Sequence, residues 1–124
     1  MDILIASLQK NVQTAVEMLL SDKEDMTVVG LVDTTTELLD QASTIYPDLV
    51  LVEWDLLGSA GVNTIRNLDW LSPRPDVVVY GRRSDWAHDA LESGADAFVW
   101  EGDGPNAMLA TIRKVYHNGR GKSD

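Results

Sequence analysis

Hydrophobic residues fall in two rhythms along this chain. Short apolar stretches, at Ile3–Ala6, Met26–Val32, Leu49–Val52, Val77–Tyr80 and Ala97–Trp100, read as strands lying between helices in a parallel sheet. Between them, apolar residues recur every three or four positions, the spacing of a helix with one buried stripe. Leu8, Val12, Ala15, Val16, Leu19 and Leu20 make the first such stripe. Leu38, Ala42 and Ile45 make the second, opened by Thr34 with Glu37 as a capping box and closed by Pro47. Val62 and Ile65 begin a third, which Pro73 and Pro75 close. Ser84 is placed to cap a fourth, carrying Trp86, Ala87, Ala90 and Leu91 and ended by Gly94. Pro105 opens the last, with Met108, Leu109, Ile112, Val115 and Tyr116 along its stripe. Asn118-Gly119 is expected to end it and leave a polar tail.

Strict alternation of strand and helix predicts an α/β fold, a parallel sheet covered on both faces. Right-handed crossovers leave few arrangements, and the leading one is the doubly wound five-stranded order 2-1-3-4-5 with five helices. Residues 1–117 make one domain on this reading, and residues 118–124 a flexible tail or linker stub.

Composition narrows the partners. The chain has 124 residues, of which 44% are hydrophobic, enough for a true core. Acidic residues outnumber basic ones 20 to 10, for a net charge of −10. Phosphate backbones are held by Lys and Arg, so this domain alone is not expected to bind nucleic acid, nor an anionic membrane. Cysteine is absent, which excludes disulfides, thiol catalysis and thiolate metal sites. The start, Met-Asp-Ile-Leu-Ile-Ala-Ser, lacks the basic region and apolar length of a signal peptide. A cytoplasmic location is the expectation.

Candidate chemistry gathers beyond the third strand. In an open parallel sheet, ligands and reactions collect past the carboxyl ends of the strands. Glu53 and Asp55 follow Leu49–Val52 at such an end. A flavin or nucleotide site would need a phosphate cradle after the first strand. Ser7-Leu8-Gln9-Lys10-Asn11 supplies one hydroxyl and no glycine, so no cofactor is expected.

Pro47-Asp48-Leu49-Val50-Leu51-Val52, Gly94-Ala95-Asp96-Ala97-Phe98-Val99 and Ala110-Thr111-Ile112-Arg113-Lys114-Val115 resemble, together and in order, the receiver domains of two-component response regulators. That fold is the flavodoxin-like one. The likeness runs from Ile3 to about Val115. Leu57-Gly58-Ser59-Ala60-Gly61 and Thr64-Ile65-Arg66 look most like receivers that precede helix-turn-helix output domains.

The resemblance implies transfer of a phosphoryl group from a histidine kinase to an aspartate ending the third strand. Two acidic residues after the first strand hold Mg²⁺, and a hydroxyl after the fourth and a lysine after the fifth hold the transferring oxygens. This sequence departs at each position. Ser7 and Leu8 replace the acidic pair, and Glu53 replaces the acceptor. Gly81, with Arg82 next, stands at the hydroxyl position, and Glu101 replaces the lysine. Phe98 alone matches, at the family's switching aromatic. Glu53 is therefore not expected to be phosphorylated, no metal is expected, and the chain is read as a pseudo-receiver and not an enzyme.

Three readings of Glu53 stay open: a fixed charge imitating the phosphorylated state, a residual metal ligand with Asp55, or a solvated carboxylate. Arg82 is expected to approach Glu53 or Glu101, against the alternative of an exposed loop arginine. Trp54 and Trp70 are read as ordinary packing. Trp86 and Trp100 are assigned to an interaction face formed by the fourth helix, fifth strand and last helix, which would bind a protein partner or a second copy. His88 and His117 are read as surface residues. Two other functions remain open: the regulatory domain of a DNA-binding response regulator whose output domain lies outside this sequence, and a small ligand-binding protein of the same fold.

Overall fold

The computed structural model describes the backbone of residues 1–58 and 61–122 and the side chains of those up to Asn118. Strands β1 (Asp2–Ala6), β2 (Thr27–Val32), β3 (Leu49–Glu53), β4 (Asp76–Gly81) and β5 (Ala97–Trp100) form one sheet in the order β2-β1-β3-β4-β5. Every neighbouring pair is parallel. The helices are α1 (Lys10–Ser21), α2 (Thr35–Ile45), α3 (Trp54–Leu57), α4 (Gly61–Asp69), α5 (Ala87–Glu92) and α6 (Pro105–Lys122). The order is the expected one.

Alternation along each strand divides the core in two. Ile3, Ile5, Leu49, Leu51, Val78 and Tyr80 face one side, where Val16 and Leu20 of α1 and Leu109 and Ile112 of α6 cover them. Leu4, Ala6, Val50, Val52, Val77 and Val79 face the other, under Leu38 and Ala42 of α2, Ile65 and Leu68 of α4 and Ala90 of α5. Every residue of β3 is buried, as a central strand between two helical layers must be. Burying a large aliphatic side chain contributes about 1.5–3 kcal/mol, so these two layers supply the main drive to fold.

Local signals hold in detail. Thr34 caps α2, its hydroxyl accepting from the Glu37 amide at 3.1 Å. Tyr46, in the left-handed conformation (φ 53°), ends that helix ahead of Pro47.

Four features differ from expectation. The segment after Glu53 forms the helical turn α3, which the hydrophobic pattern did not predict, so the described residues hold six α-helices against the five expected. Ser84 opens a 3-10 turn, Ser84–Trp86, that runs into a short α5, and its side chain makes no cap bond. Helix α6 passes through Asn118 and Gly119 to Lys122. Trp70, expected to pack, is 81% exposed, whereas Trp54 lies half-buried against the core. Ser59 and Ala60, in the motif Leu57-Gly58-Ser59-Ala60-Gly61, and residues 123–124 of the expected tail lie outside the described residues.

Candidate functional site

The carboxyl ends of β1, β3, β4 and β5 bring together the residues singled out in the sequence. Glu53, the last residue of β3, is 2% exposed. Its Oε1 accepts from the Ser7 hydroxyl at 3.0 Å and from the Leu8 amide at 2.9 Å. Ser7 is held in turn by the sheet, its amide donating to the Val32 carbonyl at 3.0 Å. The Gln9 carbonyl, 3.2 Å from Ser7 Oγ, competes for the same hydroxyl proton. Glu53 therefore reaches across to the residues that follow β1 and satisfies one buried oxygen twice over. It is not the solvated carboxylate of the third reading. Charge-assisted bonds of this kind are about twice as strong as neutral ones. The Leu8 side chain points away from this contact toward solvent, 56% exposed.

Arg82 departs from expectation. Its Nε donates to Asp55 Oδ2 at 3.0 Å, and it forms no ion pair with Glu53 or Glu101. The cause is local: α3 begins directly after β3 and lifts Asp55 over the sheet end, where the β4 terminus delivers Arg82. Glu53 is meanwhile turned toward Ser7 and Leu8.

The aromatic residues sit close to the same strand ends. A Cβ on Gly81 would stand 2.8 Å from Trp86 Cε3 and 3.5 Å from Phe98 Cε2. The Trp86 ring thus occupies the space beside Gly81 that a side chain there would need. The Arg82 and Arg83 guanidinium carbons lie 5.6 and 6.0 Å from the Trp86 ring centre, within cation–π reach. Trp100 is 38% exposed, its indole N–H donating to the Arg82 carbonyl at 3.2 Å. Phe98 is half-buried against the α2–α4–α5 layer. Trp86 is half-buried as well, more covered than the sequence suggested.

Glu101 follows β5 in a 3-10 turn. Partial burial pushes its carboxyl above the usual range, helped by the negative charge of Glu53 and Asp55 and opposed by Arg82. Tyr80, one residue before Gly81, was not singled out by the sequence; it looked like one more member of a β-branched run. It is fully buried, and its hydroxyl has no hydrogen-bond partner among the described residues. Burial raises its pKa further above the usual phenol value, with Glu53 and Glu101 adding to the shift and the Ser7 hydroxyl opposing it. His88 lies 3.8 Å from Glu92 on the exposed face of α5, outside this site.

Known proteins decide the family. The response regulator receiver domain family matches residues 3–113, almost the whole chain. The chain belongs to the response regulator receiver domains. Among relatives of this receiver, the response regulator GacA of Pseudomonas aeruginosa is 29% identical over 109 residues, covering 85% of the chain and 50% of GacA. The nitrate/nitrite response regulator NarL of Escherichia coli is 27% identical over 105 residues, 83% of the chain and 49% of NarL. The chain spans about half the length of these relatives. In fold, the receiver superposes on the response regulator domain of Thermotoga maritima CheB with a TM-score of 0.81 at 18% identity, covering 94% and 96% of the two chains. The receiver domain of a NarL from Mycobacterium tuberculosis superposes with a TM-score of 0.83 at 16% identity, covering 94% and 95%. Among the described residues, no helix is long and apolar enough to cross a membrane.

Proposed function

We propose that this receiver signals through protein–protein contacts and without aspartyl phosphorylation. The observation that carries this reading is Glu53: buried, and already engaged by the Ser7 hydroxyl and the Leu8 amide. A carboxylate that attacks phosphorus needs an accessible oxygen, a neutralising cation and donors around the arriving phosphoryl group. Here the remaining carboxylate on α3, Asp55, is paired with Arg82, and Leu8 brings no side-chain oxygen. That donor set does not fit a magnesium ion, which demands near-octahedral oxygen ligands. Gly81 has no hydroxyl, and Glu101 sets a negative charge where phosphoryl oxygens would need a positive one. Glu53 acts as a fixed internal charge that ties the end of β3 to the segment after β1, in a domain that works by its shape.

Incubation with acetyl phosphate and Mg²⁺, followed by intact mass measurement, tests this. The expected result is an unchanged mass. An added phosphoryl mass that disappears in Glu53→Gln overturns the reading.

The contact surface of this proposal is α5, β5 and α6, with Trp86 and Trp100 near it. Exposed Leu91 on α5 and the partly exposed Trp100 supply apolar area there. The partner is another protein or a second copy of the chain. A second reading, the regulatory domain of a DNA-binding response regulator, is favoured by the relatives' length, about twice that of this chain. In that case the same surface would set the geometry of an attached output domain.

A further inference from the structure

An open groove of about 510 Å³ runs between α1 and the start of α6, within the size range of small-molecule sites. It lies on the face of the sheet away from α5 and shares β5 and the start of α6 with the contact surface proposed above. Its walls are Val12, Val16 and Leu19 from α1 and Met108 from α6, and Tyr80 and Val99 underlie it. Met18 stands at its edge, 70% exposed, an adaptable apolar side chain with little covering it.

Glu101 is the only ionisable carboxylate or cation among the lining residues. Its carboxylate forms no ion pair among the described residues. The charges that act on it are mostly of its own sign, Glu53 and Asp55, and the one cation among them, Arg82, is paired with Asp55. The groove is thus an apolar trough with one uncompensated negative charge on its rim. An apolar body would remove lining surface from water, and a positive head would supply the missing counter-charge.

We propose that this groove binds a small organic amine, with its apolar body along α1 and its ammonium group on Glu101. The proposal goes beyond the phosphorylation-independent reading and does not depend on it, because probe binding reports on the groove and phosphoryl addition on Glu53.

The test uses three probes of one body and different heads: phenylbutylamine, phenylbutanol and phenylbutyrate. Each is titrated into the ¹⁵N-labelled full chain and followed by amide chemical shifts. The expected result is saturable shifts at Val12, Val16, Leu19 and Gly104, with the amine about tenfold or more tighter than the carboxylate. Glu101→Gln is expected to bring the amine to within about threefold of the alcohol while the alcohol's own affinity holds. Ala15→Trp, which fills the trough from an exposed helix position, is expected to weaken all three. Equal affinity for amine and carboxylate, a preference that survives Glu101→Gln, shifts centred elsewhere, or no saturable amine binding would overturn it. So would shifts at these residues that grow with protein concentration alone, which would mean that a second copy covers the groove.

Discussion

Gly81 and Trp86 have to be read as a pair. A hydroxyl residue at position 81 needs room that the Trp86 ring fills, since even a bare Cβ would stand 2.8 Å from it. The glycine makes room for the indole, and Arg82 and Arg83 stack against the ring. Placing a hydroxyl there by Gly81→Thr is therefore expected to destabilise the domain by about 1–3 kcal/mol, the usual cost of overpacking. Removing the ring relieves that clash. In Gly81→Thr/Trp86→Ala the two effects should fall short of additivity by at least about 0.5 kcal/mol. Urea unfolding of the wild type, both single variants and the double variant gives the cycle. Additive costs would mean that the ring and residue 81 do not share space. Phe98, 3.5 Å from the same point, sits behind this pair.

At the scale of elements, the opposite end of the sheet is fastened by Asp96. Its Oδ2 accepts from the Val77 amide at 2.7 Å and from Arg74 Nη1 at 2.9 Å, while Arg74 Nε donates to Asp69 at 2.7 Å. One arginine thus joins the end of α4 to the entry of β5, beside the start of β4. The amide of buried Val77 depends on that carboxylate. Asp96→Ala is expected to cost about 1–3 kcal/mol, the penalty of leaving a buried donor unsatisfied. Hydrogen exchange should show the Val77 amide accelerated well beyond the β1–β2 amides, and a uniform loss of protection would refute this local role. The strands themselves were legible in the sequence, because short apolar runs, deeply buried in the central β1, β3 and β4, alternate with helical stripes. The short α3 was not, since four residues cannot display a helical period. Nor was the passage of α6 through Asn118-Gly119, where two poor helix formers continue a helix already established. Arg74 and Asp96 gave no sign of meeting, because contacts across 22 positions leave no local trace.

For the whole molecule, a charge of −10 opposes self-association. An apolar centre must outweigh that repulsion if two copies pair through α5, β5 and α6, so pairing should strengthen as salt screens the charge. Sedimentation of the wild type, Trp86→Ala and Trp100→Ala across salt concentrations measures it. Each variant is expected to raise the dissociation constant about fivefold or more, the mark of a residue that matters at an interface. If all three remain monomeric at high protein concentration, the homodimer is wrong. Both tryptophans also serve their own chain, Trp86 over Gly81 and Trp100 bonded to the Arg82 carbonyl. The identity of the residues at the strand ends could be read from sequence alone. Their pairing could not: Arg82 had three nearby carboxylates to choose from, and only the lift given by α3 selects Asp55. Likewise the unpartnered Tyr80 hydroxyl is a property of its surroundings, invisible in a run of apolar letters.

The reach of Glu53 past the end of β1 also sets what can replace it. Glutamate spans the gap to the Ser7 hydroxyl and the Leu8 amide, and an aspartate at 53 would be shorter by a methylene, roughly 1.5 Å. Glu53→Asp would draw that acceptor back from the Leu8 amide, whereas the Ser7 hydroxyl keeps the Gln9 carbonyl as its alternative. Position 53 thus works as a keystone whose length matters as much as its charge: a shorter carboxylate there loosens the strand end before it does anything else.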